Sequence, residues 1–333
     1  MTLVEGTYKI SNSEVQTFKH CRRRWWLSWY RGLTSGHEIV NSAASTGGRI
    51  HEALAAYYVP DGEVPGDPVT VLRAAQDRDL ALLKAQVLGI FDEESERVLM
   101  EQESELLKAF DLERAMITGY LEWLAESGAD ADLEVVASEQ YVETVLEMPE
   151  ATGVTVPVLL IGKLDTKIVR HDLNTQLFMD HKTVGTLYPP MLGLNQQMLH
   201  YHLIEWLNSD EGEAHCAGAL YNMLRKVKRT RASKPPYFRR QAIPHNRYEL
   251  EAYQDKMIGT VEDIWFVHER LRHGADHQLT VYPTPSRDCT WICPFARVCR
   301  MFDDGPRVEA ALEAGYVRRD PYAYYERKAA VAD

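Results

Sequence analysis

The sequence predicts an α/β fold in which a helical region precedes a mixed central sheet and a cysteine-rich segment follows it. Residues 69–127 are rich in Ala, Leu, Glu and Arg, which is typical of long helices, whereas from Leu133 the residues alternate and are rich in Val, Leu and Thr, as in strands. Three cysteines lie close together near the C-terminus. We therefore expect a mainly helical region at 1–130, a core containing the sheet at 131–272, and the cysteine-rich segment with a helical tail at 273–333.

Composition is that of an ordinary soluble globular protein. Of the 333 residues, 45% are apolar and 26% are charged, and the longest apolar stretch is too short to span a bilayer. With an odd number of cysteines, five, and no secretion signal, we expect a cytoplasmic protein without a disulfide framework or membrane contact. The net charge of −12 argues against general coating of nucleic acid but allows a local basic groove.

The first predicted helix begins at a capping box, Ser11 with Glu14, and is expected to reach about Tyr30. It contains basic and aromatic residues in succession: Arg22, Arg23, Arg24, Trp25 and Trp26. Guanidinium groups bind phosphates and indole rings stack on bases, so the first four of these residues are candidate DNA contacts. The alternative is a helix whose tryptophans pack in the core while its arginines face solvent.

The next predicted helix has a histidine on its apolar face. His51 shares that face with Leu54, Ala55 and Tyr58 at helical spacing, so its side chain is expected to point inward. A lone inward histidine is more often a satisfied core residue than a metal ligand, and the residues alone leave both interpretations open.

The predicted sheet contains a hairpin with strands at Leu159–Val169 and Gln176–Thr183. With its turn centred on residues 172–173, Asp165 lies opposite Asp180, and opposed side chains start about 5 Å apart. The two carboxylates are therefore expected to lie close together.

Lys182 shares a face with Asp180 because the two residues are two positions apart on one strand. Paired carboxylates bind Mg²⁺ or Mn²⁺ and leave coordination sites for water and a phosphate oxygen. The lysine would activate that water or neutralise charge on the phosphate, so the group is typical of phosphodiester hydrolysis. The alternative is a surface hairpin with an ordinary ion pair. Glu139, on the preceding strand, is an additional candidate acid.

Two further groups of candidate residues follow the hairpin. A predicted helix carries Gln197 and Tyr201, which are four residues apart and therefore lie on one face. A short strand is predicted at Ala217–Met223 and a long amphipathic helix at Arg247–Arg272. Between them lies the most basic stretch of the chain, which is either a solvated loop or a phosphate-binding arm, with five candidate contacts: Arg225, Lys226, Lys228, Arg229 and Arg231.

Cys289, Cys293 and Cys299 lie within eleven residues of one another. Three thiols this close form a metal or cluster site more often than a chance core contact. Such a site requires a fourth ligand, for which Cys21 and Cys216 are the candidates. From its position at the mouth of a predicted strand, Cys216 is the more plausible buried structural thiol. We expect the tail after Asp304 to be helical and exposed.

In order and spacing, these motifs resemble the RecB-type branch of the PD-(D/E)XK nuclease superfamily, particularly its iron–sulfur members typified by the AddB nuclease domain and the CRISPR-adaptation exonuclease. Gly162–Asp165 is similar to the family's Gly-x-x-Asp, and Asp180–Thr183 to its Asp-x-Lys-Thr. Gln197 with Tyr201 is similar to its Gln-x-x-x-Tyr, and His51 falls where the family has a metal-binding histidine.

The resemblance covers about residues 8–303 and implies a restriction-endonuclease-like nuclease core with Mg²⁺ or Mn²⁺. The implied metal ligands are His51, Asp165, Asp180 and the backbone carbonyl of His181. The other implied roles are activation of water by Lys182, orientation of the metal site or substrate by Gln197, and packing beside Gln197 or contact with DNA by Tyr201. Cys21 would join the three C-terminal cysteines around a structural [4Fe-4S] cluster.

The favoured hypothesis is a metal-dependent deoxyribonuclease, an exonuclease acting on DNA ends or single strands in recombination, repair or phage DNA processing. A second hypothesis is a weakly active DNA-binding subunit that works with a helicase or recombinase, and a third is a zinc-stabilised interaction module. Since the sequence has no Gly-x-x-x-x-Gly-Lys loop, another chain would have to supply any helicase motor.

Overall fold

The computed structural model describes residues 2–4, 7–36, 42–85, 93–148, 156–188, 192–209, 216–290, 292–305 and 307–326. In chain order its elements are β1 (Thr2–Val4), β2 (Thr7–Ser11), α1 (Asn12–His20), α2 (Arg22–Trp25), β3 (Leu33–Ser35), α3 (Ala43–Tyr57), α4 (Pro68–Ala85), α5 (Glu93–Ser127), β4 (Leu133–Met148), β5 (Val156–Arg170), β6 (Thr175–Val184), α6 (Gln196–Leu207), β7 (Cys216–Arg225), β8 (Phe238–Pro244), α7 (Arg247–Arg272), α8 (His277–Thr280), α9 (Ala296–Cys299), α10 (Met301–Asp304), α11 (Val308–Gly315), β9 (Tyr316–Arg318) and α12 (Ala323–Glu326). Over the residues described, none of the helices is long and apolar enough to cross a lipid bilayer.

A seven-stranded mixed sheet forms the centre of the described chain. Its order is β1-β2-β5-β6-β7-β8, with β4 paired to β5 as well. The β2–β5 and β6–β7 pairs are parallel and the remaining pairs are antiparallel, so the predicted mixed sheet is confirmed. The division into three regions stays a prediction, and β1 and β2, which the sequence analysis did not predict, belong to this sheet.

Strand β5 changes neighbours along its length. It pairs with β2 from Val158 to Ile161 and with β6 from Thr166 to Arg170, while β4 lies along its other edge. Residues 162–165 therefore lie where β2 and β6 diverge, and we refer to this segment as the fork. A backbone segment between two diverging strands can be approached closely by side chains from a covering helix.

The predicted hairpin register is confirmed. Thr166 pairs with Met179 and Lys167 pairs with Phe178 across β5 and β6. Continuing this register by one position places Asp165 opposite Asp180, at the fork. The hairpin therefore brings the two acids to the point where the sheet opens.

Helices cover both faces of the sheet. Leu177 and Met179 of β6 belong to an apolar cluster with residues of α3 and α5, whereas Phe178 between them packs with residues of α6. A larger cluster joins α1, α6 and α7 to β2, β4 and β5. The predicted helix at Arg247–Arg272 is confirmed as α7, and Asn246 begins it with a capping box.

The first helix is shorter than predicted. Ser11 caps α1 by accepting from the backbone N–H of Glu14, but α1 ends at His20 and Cys21 has an extended backbone with φ −160° and ψ 113°. The chain resumes as α2 and a π-helical turn at Trp26–Tyr30. Cys21 therefore lies at a break between helices, where its side chain is directed independently of either helix.

A buried carboxylate joins the N-terminal helix to the C-terminal tail. Glu14 is fully buried, and it accepts hydrogen bonds from Trp25 Nε1 at 2.9 Å and from the hydroxyl of Tyr322. Tyr322 is only 2% exposed, and β9 of the same segment pairs with β3. Val308, Leu312 and Tyr322 are buried, so the prediction of an exposed tail is wrong for these three residues, whereas most of the others in this segment are exposed. Residues 327–333 lie outside the described part of the chain.

His200 makes the stability of the fold sensitive to acid. The ring is fully buried in α6, with Nε2 3.0 Å from the carbonyl oxygen of Ile161, and burial lowers the pKa of His200 to about 4. The unfolded chain binds this proton near pH 6.5. Stability from the neutral ring is therefore fully present above that pH and is lost as the pH falls toward 4.

The unfolding free energy of wild type should decrease as the pH falls from 7 to 4.5. In His200→Gln, which keeps an N–H donor for Ile161, we expect this decrease to be smaller by about 2 kcal/mol. Urea denaturation at several pH values measures this decrease. The matched control is His171→Gln, the same substitution at an exposed turn histidine that lies 3.0 Å from Glu134, and its acid dependence is compared with that of His200→Gln. Equal acid dependence in wild type and His200→Gln would contradict the prediction.

Candidate active site

Asp165 lies at the fork and is held from two directions. Nδ1 of His51, on α3, is 3.3 Å from Oδ1 of Asp165, and the backbone N–H of His181 donates to Oδ2 at 2.9 Å. Burial favours the neutral acid, but the hydrogen bond and charge of His51 outweigh it and lower the pKa of Asp165 to about 2. Asp165 is therefore an anion at neutral pH.

Asp180 lies beside Asp165 and is almost completely buried. Lys182 Nζ is 3.0 Å from Oδ1 and 2.9 Å from Oδ2 of Asp180, but only the contact with Oδ1 has hydrogen-bond geometry. Burial raises the pKa of Asp180 to about 6, against the opposing charge of Lys182 and with the added effect of the Asp165 charge. The two carboxylates are thus close enough for each to affect the ionisation of the other.

Helix α6 contributes the remaining residues of the site. Gln197 Oε1 accepts from Lys182 Nζ at 3.0 Å, and Gln197 Nε2 donates to the hydroxyl of Tyr201 at 3.1 Å. Burial alone would lower the pKa of Lys182, but the charge and hydrogen bond of Asp180 outweigh it and raise that pKa. A continuous chain of contacts therefore leads from Asp180 through an ammonium group to Gln197 and Tyr201.

Tyr201 packs against Gly162 at the fork. A Cβ atom added to Gly162 would lie 2.6 Å from Cε1 and 2.7 Å from Cδ1 of the Tyr201 ring. These distances are shorter than any real contact, so the ring reaches its position only because residue 162 has no side chain.

Gly162→Ala is expected to lower the unfolding free energy by about 1–3 kcal/mol, because Tyr201 must move within a packed core. Thermal denaturation measures the change. The control is Gly259→Ala in α7, where an added Cβ meets no atom within 4 Å. That variant should be about 0.5–1 kcal/mol more stable than wild type, since alanine favours a helix interior. If Gly162→Ala were as stable as wild type, the Tyr201 ring would be able to move away from residue 162 without loss of stability.

The side chain of His181 was missed by the sequence analysis, which assigned a role only to its backbone. The ring is buried, and its Nδ1 is 2.9 Å from Asn222 Nδ2. It stacks on Tyr58, with ring centroids 5.3 Å apart, and burial lowers the pKa of His181 to about 3. Strand alternation placed this ring on the opposite face from Asp180 and would have indicated an inward histidine.

Both carboxylates face basic groups of the protein itself, the imidazole of His51 for Asp165 and the ammonium of Lys182 for Asp180. Among the residues that the structure describes, no three His, Cys, Asp or Glu side chains converge closely enough to hold one metal ion. The types of donor nevertheless fit a hard divalent cation, since two carboxylates adjoin and Oδ2 of Asp180 is buried without a hydrogen bond. Glu139, the additional candidate acid, forms an ion pair with Lys163.

Four of the five cysteines lie where the first helices meet the C-terminal segment, close enough for their charges to interact, but among the described residues they do not converge closely enough to form a set of metal ligands. Burial raises the pKa values of Cys293 and Cys299, and the charge of Cys21 raises both further. The charge of Cys289 acts on Cys293 in the same way. Cys216 is not in this group; it is buried in β7, where burial and the neighbouring Glu205 raise its pKa.

Backbone N–H groups point at two of the four sulfur atoms. Thr284 donates to Sγ of Cys21 and Ser286 donates to Sγ of Cys289, each at 3.4 Å. Hydrogen bonds of this kind stabilise thiolate ligands and tune the clusters that they hold.

Two of the four candidate DNA contacts in the first helices are in the core, so that part of the expectation is corrected. Trp25 is fully buried and bonded to Glu14, and Arg23 is 2% exposed and donates to the carbonyl of Cys299 and to Asp303. Arg22 and Arg24 are half-buried. The alternative of inward tryptophans is confirmed, but the buried Arg23 shows that the arginines do not all face solvent.

The basic stretch forms the connection between β7 and β8, as an exposed loop that leads into β8. Lys226, Lys228, Arg229 and Arg231 are exposed, and Arg225 is half-buried and donates to the carbonyl of Lys234. Arg229 pairs with Glu122. An open cavity of about 620 Å³ lies within this loop.

The family model of the PD-(D/E)XK nuclease superfamily matches residues 9–300. Among curated proteins, none matches the chain significantly. The matched range includes the fork, the hairpin and α6, and it extends over most of the chain. The chain therefore belongs to the PD-(D/E)XK nuclease superfamily.

Proposed function

We propose that the chain is a metal-dependent deoxyribonuclease, acting as an exonuclease on DNA ends or single strands in recombination, repair or phage DNA processing. The observation that carries the proposal is the pairing of Asp165 with Asp180 at the fork, with Lys182 in contact. Membership of the superfamily supports nuclease activity, DNA as substrate and the use of Mg²⁺ or Mn²⁺.

The proposed metal ligands are His51, Asp165, Asp180 and the backbone carbonyl of His181. A bound divalent ion would polarise the scissile phosphate and favour ionisation of the attacking water. Asp165 supplies an ionised oxygen donor at neutral pH. Asp180 supplies a second buried carboxylate; its Oδ2 accepts no hydrogen bond but lies 2.9 Å from the ammonium of Lys182, which an incoming metal ion would have to displace from that oxygen.

Lys182 is proposed to neutralise the charge that develops on the phosphate. Its raised pKa keeps the amine protonated, which favours this role over abstraction of a proton from water. Gln197 accepts from the ammonium group and fixes its position, and Tyr201 packs beside Gln197 instead of reaching outward. Gln197 is thus a positioning residue in this proposal.

The DNA backbone is proposed to follow the exposed basic loop after β7. Lys226, Lys228, Arg229 and Arg231 are exposed there, and phosphate contacts from such side chains give salt-dependent affinity without sequence preference. Arg22 and Arg24 remain candidate DNA contacts because they are not fully buried, but they are weaker candidates than the exposed residues of the loop.

A [4Fe-4S] cluster held by Cys21, Cys289, Cys293 and Cys299 is proposed as a structural element, which would place the chain in the iron–sulfur RecB-type branch. The proposal is supported by the charge effects of the four thiols on one another and by the N–H donors at two of them; the thiols would have to move closer together to hold a cluster, because no set of metal ligands forms among the described residues. The rival is zinc on the same thiols, as in an interaction module. Iron and zinc content of anaerobically purified protein separates these two.

Digestion of end-labelled single- and double-stranded DNA with Mn²⁺ tests the proposed activity. We expect mononucleotides or short products that appear from the ends, no cutting of circular single-stranded DNA, and no products in the presence of EDTA. Cleavage of the circular DNA, which has no ends, would show that the enzyme is an endonuclease and not an exonuclease. Binding of DNA without cleavage in any form would favour a subunit that works with a helicase or recombinase.

A further inference from the structure

A buried cation lies behind the site and has no role in the proposed reaction. Arg240 of β8 has a side chain that is 11% exposed, and it pairs with Asp130. Its guanidinium donates to the carbonyl of Ala129 at 2.6 Å and to the hydroxyls of Tyr58 at 2.7 Å and Tyr120 at 3.0 Å. A guanidinium this enclosed is retained only where several acceptors converge on it.

Arg240 determines the orientation of the Asn222 amide. Its Nε donates to Asn222 Oδ1 at 3.4 Å, so the amide nitrogen must point the other way, where it donates to Tyr120 at 2.7 Å and to Nδ1 of His181 at 2.9 Å. Nδ1 of His181 is therefore an acceptor, and the ring proton lies on Nε2, 3.5 Å from Thr166 Oγ1. Arg240 thereby holds β6 at the residue whose N–H supports Asp165.

Arg240 also holds α3, the helix that carries His51. Tyr58, immediately after α3, accepts from Arg240 and stacks on the ring of His181. His51 lies two turns earlier on the same face, and its ring contacts His181 edge-on with centroids 5.9 Å apart. One guanidinium therefore connects the helix and the strand that bear two of the proposed metal ligands.

We propose that Arg240 is a positioning residue for the divalent metal site, fixing the separation of His51 and His181 through Tyr58 and Asn222. The inference rests on the proposed function, because the ligands are those proposed there. Arg240 itself contacts neither the carboxylates nor the metal in this assignment. Supporting groups of this kind typically change metal affinity 10–100-fold when removed.

Mn²⁺ binding to purified protein without DNA, measured by electron paramagnetic resonance, tests this role. We expect Arg240→Met to weaken Mn²⁺ binding about 10–100-fold. Arg240→Lys should recover part of the affinity, because it keeps the charge but not the planar set of donors. Tyr120→Phe removes one hydroxyl of the same network with little change of shape, and it should weaken binding by a smaller factor even if Arg240→Met does not fold.

The matched control is Ile264→Ala. Ile264 of α7 is fully buried in an apolar cluster away from the site, so its truncation leaves a cavity there. It should destabilise the protein and leave Mn²⁺ affinity unchanged. If this control lost as much affinity as Arg240→Met, the effect of Arg240 would be one of general packing and not of positioning the metal site. If wild type, Arg240→Met and Tyr120→Phe all bind Mn²⁺ equally well, the positioning role of Arg240 is overturned and the proposed function is not. Wild type that binds no Mn²⁺ would overturn the proposed function first.

Discussion

Asp180→Asn is expected to lower the rate of Mn²⁺-dependent DNA cleavage by about 10³-fold or more. The substitution keeps the shape of the side chain but removes the negative charge that would bind a divalent cation beside Asp165. It also leaves Lys182 without its charged partner at 2.9 Å. Rates on end-labelled DNA measure the effect, and DNA affinity by fluorescence anisotropy with Ca²⁺ should change little.

Asp172→Asn is the matched control for this prediction. It is the same substitution in the same hairpin, at an exposed turn residue that pairs with Arg170. This variant should cleave DNA at the wild-type rate. If Asp180→Asn cleaved DNA as fast as Asp172→Asn, the acid at the fork would have no part in the reaction.

Cys21→Ala is expected to remove the iron of the proposed cluster and to lower the unfolding free energy by several kcal/mol. A cluster that joins Cys21 to Cys289, Cys293 and Cys299 would close a loop of almost the whole chain, and its binding energy would stabilise the folded state. Iron per chain and visible absorbance report the cluster, and urea denaturation reports stability.

Cys216→Ala distinguishes the two candidate fourth ligands. Its thiol is buried beside Glu205, away from the other four, so this variant should keep its iron. Loss of iron in Cys216→Ala but not in Cys21→Ala would reverse the assignment. Zinc in place of iron in the wild type would favour an interaction module.

Local patterns were enough to predict the pairing of the two acids. A short turn and strand alternation determine which residues of a hairpin lie opposite each other, so Asp165 and Asp180 follow from the sequence alone. The shared face of Gln197 and Tyr201 follows equally from helical spacing, and their hydrogen bond confirms it. These predictions succeeded because each depends on residues close together in the chain.

The features that were missed depend on contacts between distant segments. Arg240 was one of many cations in a basic stretch, and only the fold shows that it turns inward to Tyr58 and Asp130, more than a hundred residues away. The break at Cys21 cannot be found from helix propensity, since the surrounding residues are ordinary helix formers. The fork requires β2, a five-residue strand that gave no clear pattern.

The bond between Glu14 and Tyr322 also has a consequence for synthesis. The two residues are 308 positions apart, so the N-terminal helix leaves the ribosome long before its buried carboxylate can meet that partner. At typical translation rates of 5–20 residues per second the delay is about 15–60 s. During that interval Glu14 lacks one of its hydrogen-bond partners, so this end of the nascent chain stays incompletely packed until residue 322 has been made.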